Sequence, residues 1–299
     1  MAKLAVIGAG KWGEALHSAI LDIDPNALIT SRTPRDIKNF VCLDEALMCE
    51  YLLISISTQE IARWLEQNYK PNNKHKILVA SKGIDANSGK FLNEIYSNYI
   101  SEDKIGFISG PSFATEVLDK LPTALVINSK SKEFYKEFSR FFPPYIKTYY
   151  SDDVIGSEIA GAYKNVLAIA SGICDGLKLG NNARAALISR GLVEMYRFGK
   201  FFGADEETFL GLSGAGDLFL SASSTMSRNY RVGLSLAKGN DIKTIIDELG
   251  EVAEGVKTAE AIYNISKQKG IYTPISNEVK FVIDGKDPKQ SLKDLLNKE

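Results

Sequence analysis

The chain is short of the residues and runs that would have pointed to several other kinds of protein. Histidine occurs twice in 299 residues and cysteine three times. Cys42, Cys49 and Cys174 are odd in number and lack a CxxC spacing, which suits reduced, space-filling thiols in a cytoplasm better than disulfides or zinc, and no metal site is expected. Charge of one sign is missing too: 36 Lys+Arg face 37 Asp+Glu with no basic tail and no run of like charge, so neither nucleic acid nor an acidic membrane is an expected partner. The longest apolar stretch, Ile159 to Cys174, is interrupted by Lys164 and Asn165 and falls short of the roughly 20 residues of a membrane helix, so no membrane insertion is expected. The opening MAKLAVIGAG has only Leu4 to Ile7 as an apolar run, too short for a secretory signal core, and the expected location is cytoplasmic.

What is present is 44% hydrophobic sequence, enough to bury the cores of two ordinary domains. Short β-rich runs recur through the first half: Leu4–Ile7, Leu28–Thr30, Leu52–Ile56, Ile77–Ala80, Gly106–Ser109 and Ala124–Ile127, separated by segments of helical spacing. That alternation predicts right-handed βαβ units and a mostly parallel sheet. After Asp152 the β signal fades and stretches rich in Ala, Leu, Ile and Glu follow, as in Ser157–Leu177, Ala183–Phe202 and Thr258–Lys269. Pro143-Pro144 and the polar Ser151-Asp152-Asp153 mark the change. The expected architecture is an α/β Rossmann-type domain over residues 1–150 followed by an all-α domain over 151–299.

The first run leads directly into Gly8-Ala9-Gly10-Lys11-Trp12-Gly13, and Glu14 to Leu21 continues with helical spacing. In a strand–turn–helix setting a GxGxxG has a physical reading. Gly8 permits the tight turn, Gly10 lets a pyrophosphate approach the backbone, Gly13 lets helix and sheet pack closely, and the helix N-terminus offers amide donors. An NAD-specific site would place Asp or Glu at the end of the second strand, on the ribose hydroxyls. Here Thr30-Ser31-Arg32 stands, so nothing acidic repels a 2′-phosphate and Arg32 can pair with one; the cofactor is read as NAD or NADP. The alternative for Arg32 is a solvated charge at a strand end.

Hydride transfer from an alcohol needs a base, for which histidine is the familiar choice. His17 follows the glycine loop and His75 lies in a polar turn, so the second domain has none and the base must be another residue. Lys164 stands in the middle of a segment apolar on nearly every side. Buried there, its ammonium would be desolvated and its pKa lowered, in extreme cases by about 3 to 5 units, towards the range of a general base. The alternative is a lysine that snorkels to the surface. The second concentration of polarity, Gly211 to Asn229, is dense in glycine and hydroxyls and reads as a loop that closes on a ligand, with Asp217 a candidate partner for Lys164 and Ser227-Arg228-Asn229 a donor set suited to phosphate.

Taken together, GAGKWGEAL, SKGI, GPSFATE, KNVLAIASGICDGLKLGNNARAALISRGLVEM, LSGAGDL, SRN and EGVKTAE resemble, in this order and nearly end to end, the bacterial NAD(P)-dependent glycerol-3-phosphate dehydrogenases. The resemblance implies a cytoplasmic homodimer that reversibly reduces dihydroxyacetone phosphate to sn-glycerol 3-phosphate for phospholipid synthesis. It implies that Lys164 is the proton donor and acceptor, aided by Lys82 and Asp217. Lys82, Gly110, Ser112, Lys164, Asn165, Asp217, Ser227, Arg228 and Asn229 then match substrate positions. Gly8, Gly10, Lys11, Trp12, Gly13, Arg32, Lys82, Ala114, Arg228, Val252 and Glu254 match positions around the cofactor.

The chain departs from the family pattern in places. Ile56-Ser57-Thr58-Gln59 replaces a VPSQ-like segment, Ala215 and Ser221 stand where leucine and threonine are frequent, and the chain is somewhat short. A turn altered by the missing proline is therefore an expectation to test. Two other readings compete: a related two-domain dehydrogenase of a hydroxy acid or phosphogluconate, against which SRN and GPSFA argue, and a non-catalytic NAD(P)-binding sensor in which Lys164 is only a buried cation.

Overall fold

A computed structural model of the protein describes residues 3–250 and 253–297. These separate into two compact units, residues 1–82 with 92–154 and residues 83–91 with 155–299. The first contains, in chain order, β1 (Leu4–Ile7), α1 (Lys11–Leu21), β2 (Leu28–Thr30), α2 (Leu43–Ala46), β3 (Tyr51–Ile54), α3 (Thr58–Asn68) and β4 (Lys76–Val79). After the excursion at 83–91 come α4 (Leu92–Tyr96), β5 (Ile105–Ser109), α5 (Ala114–Leu118), β6 (Thr123–Asn128), α6 (Lys132–Ser139) and β7 (Ile146–Ser151).

Among the described residues the strands form one sheet in the order β2-β1-β3-β4-β5-β6-β7, parallel except where β5 meets β6. The apolar runs are continuous rather than alternating because both faces are covered. Leu4 and Val6 enter one core with Leu53 and Leu78, while Ala5 and Ile7 enter the opposite core with Leu52, Ile54, Ile77 and Val79. Strand β7 escaped the sequence reading. It is an edge strand in which buried Ile146 and Thr148 alternate with exposed Lys147 and Tyr149, so it lacks the apolar run that marks the central strands.

The second unit is helical: α7 (Val154–Gly176), α8 (Gly180–Phe201), α9 (Glu206–Leu210), a π turn (Leu212–Gly216), α10 (Asp217–Ala222), α11 (Arg228–Leu236), α12 (Ile242–Leu249), α13 (Glu254–Lys269), α14 (Pro274–Ile283) and α15 (Pro288–Leu296). The excursion at 83–91 contributes Ile84 and Phe91 to this unit's core. Helix α7 is its spine and is buried along most of its length. A Cβ at Gly172 would lie 2.1 Å from the Tyr230 carbonyl, and one at Gly233 would lie 2.1 Å from the Ile169 carbonyl. Helices α7 and α11 therefore meet backbone to backbone, which fixes the residues on their facing sides. No described helix is long and apolar enough to cross a membrane.

Candidate active site

In the first unit the glycine loop joins β1 to α1 at the carboxyl end of a parallel strand, where open α/β sheets take their ligands. Gly8 has φ +109°, and a Cβ there would sit 2.3 Å from the Ser55 carbonyl; one at Gly13 would sit 1.8 Å from the Gly8 carbonyl. Both positions are closed by packing. Gly10 is exposed and would place a Cβ in open space, so no side chain stands over the start of α1, where a ligand would approach. The loop thus fits a dinucleotide pyrophosphate: two glycines close the turn and the third keeps the approach clear. Lys11 is exposed beside it, and Trp12 packs half-buried on the sheet core. Arg32 is exposed just beyond β2, with Ser31 turned to the Thr33 carbonyl at 2.7 Å.

Three further predicted residues gather at the ends of β4 and β5. Lys82 Nζ donates to the Gly110 carbonyl at 3.3 Å, and Ser112 Oγ donates to the same oxygen at 3.2 Å. Gly110 has φ +108°, and a Cβ there would lie 2.9 Å from the Ala124 carbonyl, so only glycine fits. Ala114 opens α5 a few residues on. Ser57, where the family pattern has proline, is the residue just before α3, with φ −58° and no side-chain bond to the helix start. A proline ring would hold the same angle, so the turn keeps its shape without it.

In the second unit Lys164 is neither bare nor snorkelling. Its side chain is 13% exposed, and Nζ donates to Asp217 Oδ1 at 2.8 Å and to Ser221 Oγ at 2.8 Å. Asp217 is 1% exposed, so its carboxylate is committed to this pair and its neighbours. Asp217 and Ser221 are four residues apart on α10 and present their side chains from one face. This corrects the expectation of a loop over Gly211–Asn229, since residues 212–222 are helical and only 223–227 form a loop before α11. The Gly216 N–H donates to the Gly211 carbonyl at 3.1 Å, the i→i−5 bond of a π turn, and α10 follows at once. The glycines serve close packing: a Cβ at Gly214 would lie 2.2 Å from the Phe209 carbonyl. Ser221 was not among the predicted site residues, although its i+4 spacing from Asp217 was readable.

At the residue next to the lysine, Asn165 Oδ1 accepts from Asn229 Nδ2 at 2.9 Å, and Asn229 Oδ1 accepts from the Gly255 N–H at 3.0 Å. Ser227 caps α11, its hydroxyl accepting from the Tyr230 N–H at 3.3 Å, and Arg228 is exposed at the first helical position. Ser227, Arg228 and Asn229 thus stand at a helix start, a setting favourable to anions. Glu254 opens α13 beside Gly255, whereas Val252 lies outside the described residues.

Sequence reasoning also passed over Glu194. It is 1% exposed on α8, and its carboxylate accepts from the N–H groups of Ile275 (2.7 Å) and Ser276 (2.9 Å) and from the hydroxyls of Ser276 (2.8 Å) and Tyr163 (2.9 Å). The carboxylate caps α14 and ties it to α7 through the residue before Lys164. Of the thiols, Cys49 and Cys174 are buried and Cys42 is exposed; burial pushes Cys49 up to about 11, far from a reactive thiolate.

A glycine-loop Rossmann unit followed by a helical unit with a paired, half-sequestered lysine defines the class of two-domain nicotinamide-dependent dehydrogenases. The more particular assignment comes from comparison. Residues 23–135 match the family model described as NAD-dependent glycerol-3-phosphate dehydrogenase N-terminus, and residues 153–293 match its C-terminus. The chain is 60% identical over 297 residues to a glycerol-3-phosphate dehydrogenase [NAD(P)+] of Sulfurimonas denitrificans, covering 99% of this chain and 100% of that one. It is 61% identical over 295 residues to the protein so named in Campylobacter lari, covering 99% and 98%. A crystal structure of glycerol-3-phosphate dehydrogenase from Coxiella burnetii superposes with a TM-score of 0.90 at 33% identity, covering 99% and 98%. The chain belongs to the NAD-dependent glycerol-3-phosphate dehydrogenase family.

Proposed function

We infer that the chain is an NAD(P)-dependent oxidoreductase that interconverts dihydroxyacetone phosphate and sn-glycerol 3-phosphate, with the unit carrying the glycine loop, residues 1–150 in the main, binding cofactor and residues 151–299 binding substrate. The observation that carries the mechanism is Lys164, held by Asp217 and Ser221 in the middle of a largely apolar, buried helix. A bound nicotinamide cofactor supplies or takes up the hydride. Gly8, Gly10, Lys11, Trp12 and Gly13 would hold its pyrophosphate end, with Lys82, Ala114, Arg228, Val252 and Glu254 also contributing. Arg32, with no acidic residue at the end of β2, lets the site take NADP as well as NAD.

In reduction, Lys164 Nζ gives its proton to the ketone oxygen as negative charge grows there. Asp217 and Ser221 aim the ammonium and answer its charge. In oxidation the same nitrogen receives the hydroxyl proton. Lys82, with Gly110 and Ser112, supplies a second cation and a shaped backbone for the substrate. Ser227 and Arg228 grip the phosphate at the start of α11, so that binding energy from a non-reacting group holds the carbon in place. The product supplies glycerophospholipid synthesis, and the enzyme works as a cytoplasmic homodimer. Val193, Phe201, Leu210 and Phe219 leave apolar side chains exposed on the helical unit, surface that a second copy would cover.

The test is the loss of NADH and NADPH absorbance with dihydroxyacetone phosphate, run beside unphosphorylated dihydroxyacetone and a keto acid. Rapid oxidation with the phosphorylated ketone alone is expected. No oxidation with any of the three, despite measurable cofactor binding, would overturn the reading in favour of a sensor.

A further inference from the structure

We propose that Asp175 and Tyr230 are positioning residues that act through Arg228: their bond sets where the first turn of α11 stands relative to Lys164. In the function given above, on which this rests, Lys164 meets the ketone oxygen from α7 and Arg228 meets the phosphate from α11. The two helices cross at Gly172 and Gly233, where a Cβ on either glycine would lie 2.1 Å from a carbonyl of the other helix. Such a crossing brings the backbones close, but van der Waals contact is non-directional and one crossing point leaves α11 free to pivot. Two polar ties remove that freedom. Asn229 bonds to Asn165 on one side of the crossing, and Tyr230 reaches Asp175 on the other. Asn165 and Asp175 lie about 15 Å apart along α7, so the two ties together resist a rotation that neither resists alone.

Tyr230 is suited to this by its length and its place. It is 7% exposed, its hydroxyl donates to Asp175 Oδ2 at 2.5 Å, and its backbone N–H donates to Ser227 Oγ at 3.3 Å. One residue thus touches the cap of α11 at one end and the last turn of α7 at the other, and Arg228 lies between that cap and the tyrosine in the chain. Asp175 is aimed in turn from α8. Arg184 Nη1 donates to its Oδ2 at 2.7 Å, and Arg184 Nη2 donates to Asn181 Oδ1 at 3.0 Å. With side chains 32% and 19% exposed, the Arg184–Asp175 pair contributes little to global stability. Its geometric effect is larger, because a charged acceptor fixed in place gives the phenol a short, directional bond. Lys164 and Arg228 then form the two ends of a gauge that a short phosphorylated ketone spans. Loosening α11 costs the phosphate contact first and the proton transfer last.

Tyr230→Phe removes the hydroxyl and keeps the ring that fills this buried place. It should raise KM for dihydroxyacetone phosphate by about 10-fold, the order expected when a remote change shifts a binding group by less than an ångström, with kcat changed far less. Asp175→Ala should give the same loss, and the double variant no more than either single. In an Arg228→Ala background Tyr230→Phe should add less than about 2-fold, because the tyrosine acts through the arginine. An unchanged KM, a kcat that falls as much as KM rises, or the full loss persisting without Arg228 would overturn the proposal. Calorimetric titration with inorganic phosphate reads the same clamp apart from turnover, and Tyr230→Phe should bind it about 10-fold more weakly than the wild type. A wild type that binds phosphate yet oxidises no NADH with dihydroxyacetone phosphate would sink the assigned reaction, and the titration would still decide the clamp. Equal phosphate affinities in the two proteins, or no phosphate binding by the wild type, would overturn it.

Discussion

Replacing Lys164 with alanine should separate catalysis from folding, because the structure ties this side chain to both. The ammonium partners a carboxylate that is 1% exposed. Removing one member of a buried pair costs about 3–5 kcal/mol, since the remaining charge loses its counterion in a poorly solvated place. Lys164 keeps 13% exposure and Ser221 Oγ lies 3.5 Å from Asp217, ready to turn towards it, so the low end, about 3 kcal/mol, applies here. For a protein of this size that lowers Tm by about 6–12 °C. Turnover should fall by about 10²–10⁴-fold, the usual worth of a positioned proton donor, while NADH binding, a property of the glycine loop, stays near the wild-type value. Lys164→Met combined with Asp217→Asn removes both charges and should recover most of the lost Tm while remaining inactive. The assays are thermal melting, NADH fluorescence titration and steady-state oxidation of NADH. Near-normal turnover in the alanine variant would remove Lys164 from the mechanism, and an unchanged Tm would refute the buried-pair reasoning.

Arg228→Ala should raise KM for dihydroxyacetone phosphate by about 10- to 100-fold through loss of a charge-assisted contact, with kcat changed far less; an unchanged KM would take the arginine away from the phosphate. Arg32→Glu should weaken NADPH binding and leave NADH binding almost unaltered, checked by titrating both cofactors, and equal losses for the two would make Arg32 an ordinary surface charge. Burial pushes the Glu194 carboxyl above the usual carboxylate range. A carboxyl raised in the folded state contributes its full stability below the unfolded value, about 4.3, and loses it as pH climbs through the folded value. Glutamine does not titrate, so the Tm of the wild type relative to Glu194→Gln should decline as the pH rises above about 4.3, and a margin that widens with pH would contradict this assignment.

How much of this was legible in the sequence depends on the distance over which each feature is encoded. The glycine loop was readable because its requirements are local: strand, turn and helix lie within Leu4–Leu21, and Gly8 and Gly13 answer to atoms nearby in the chain or just beyond the adjoining strand. The central strands were readable because burial on both faces leaves uninterrupted apolar runs, whereas β7, with one wet face at the sheet edge, left only Ile146 and Thr148 as buried anchors. Lys164 announced itself by being out of place, but its partners did not. Density of glycine and serine over Gly211–Asn229 means a loop when glycine supplies flexibility and a tightly packed helix start when it supplies closeness, and composition alone does not separate the two. The Phe209 carbonyl, 2.2 Å from where a Gly214 Cβ would stand, decides for the second. Only then do Asp217 and Ser221 become one helical face turned on Lys164. The same holds for Asn229, which a tripeptide reading assigns to phosphate. Its bonds to residues 64 positions before it and 26 after it tie α11 to α7 and α13, and those separations leave no periodic trace in the chain.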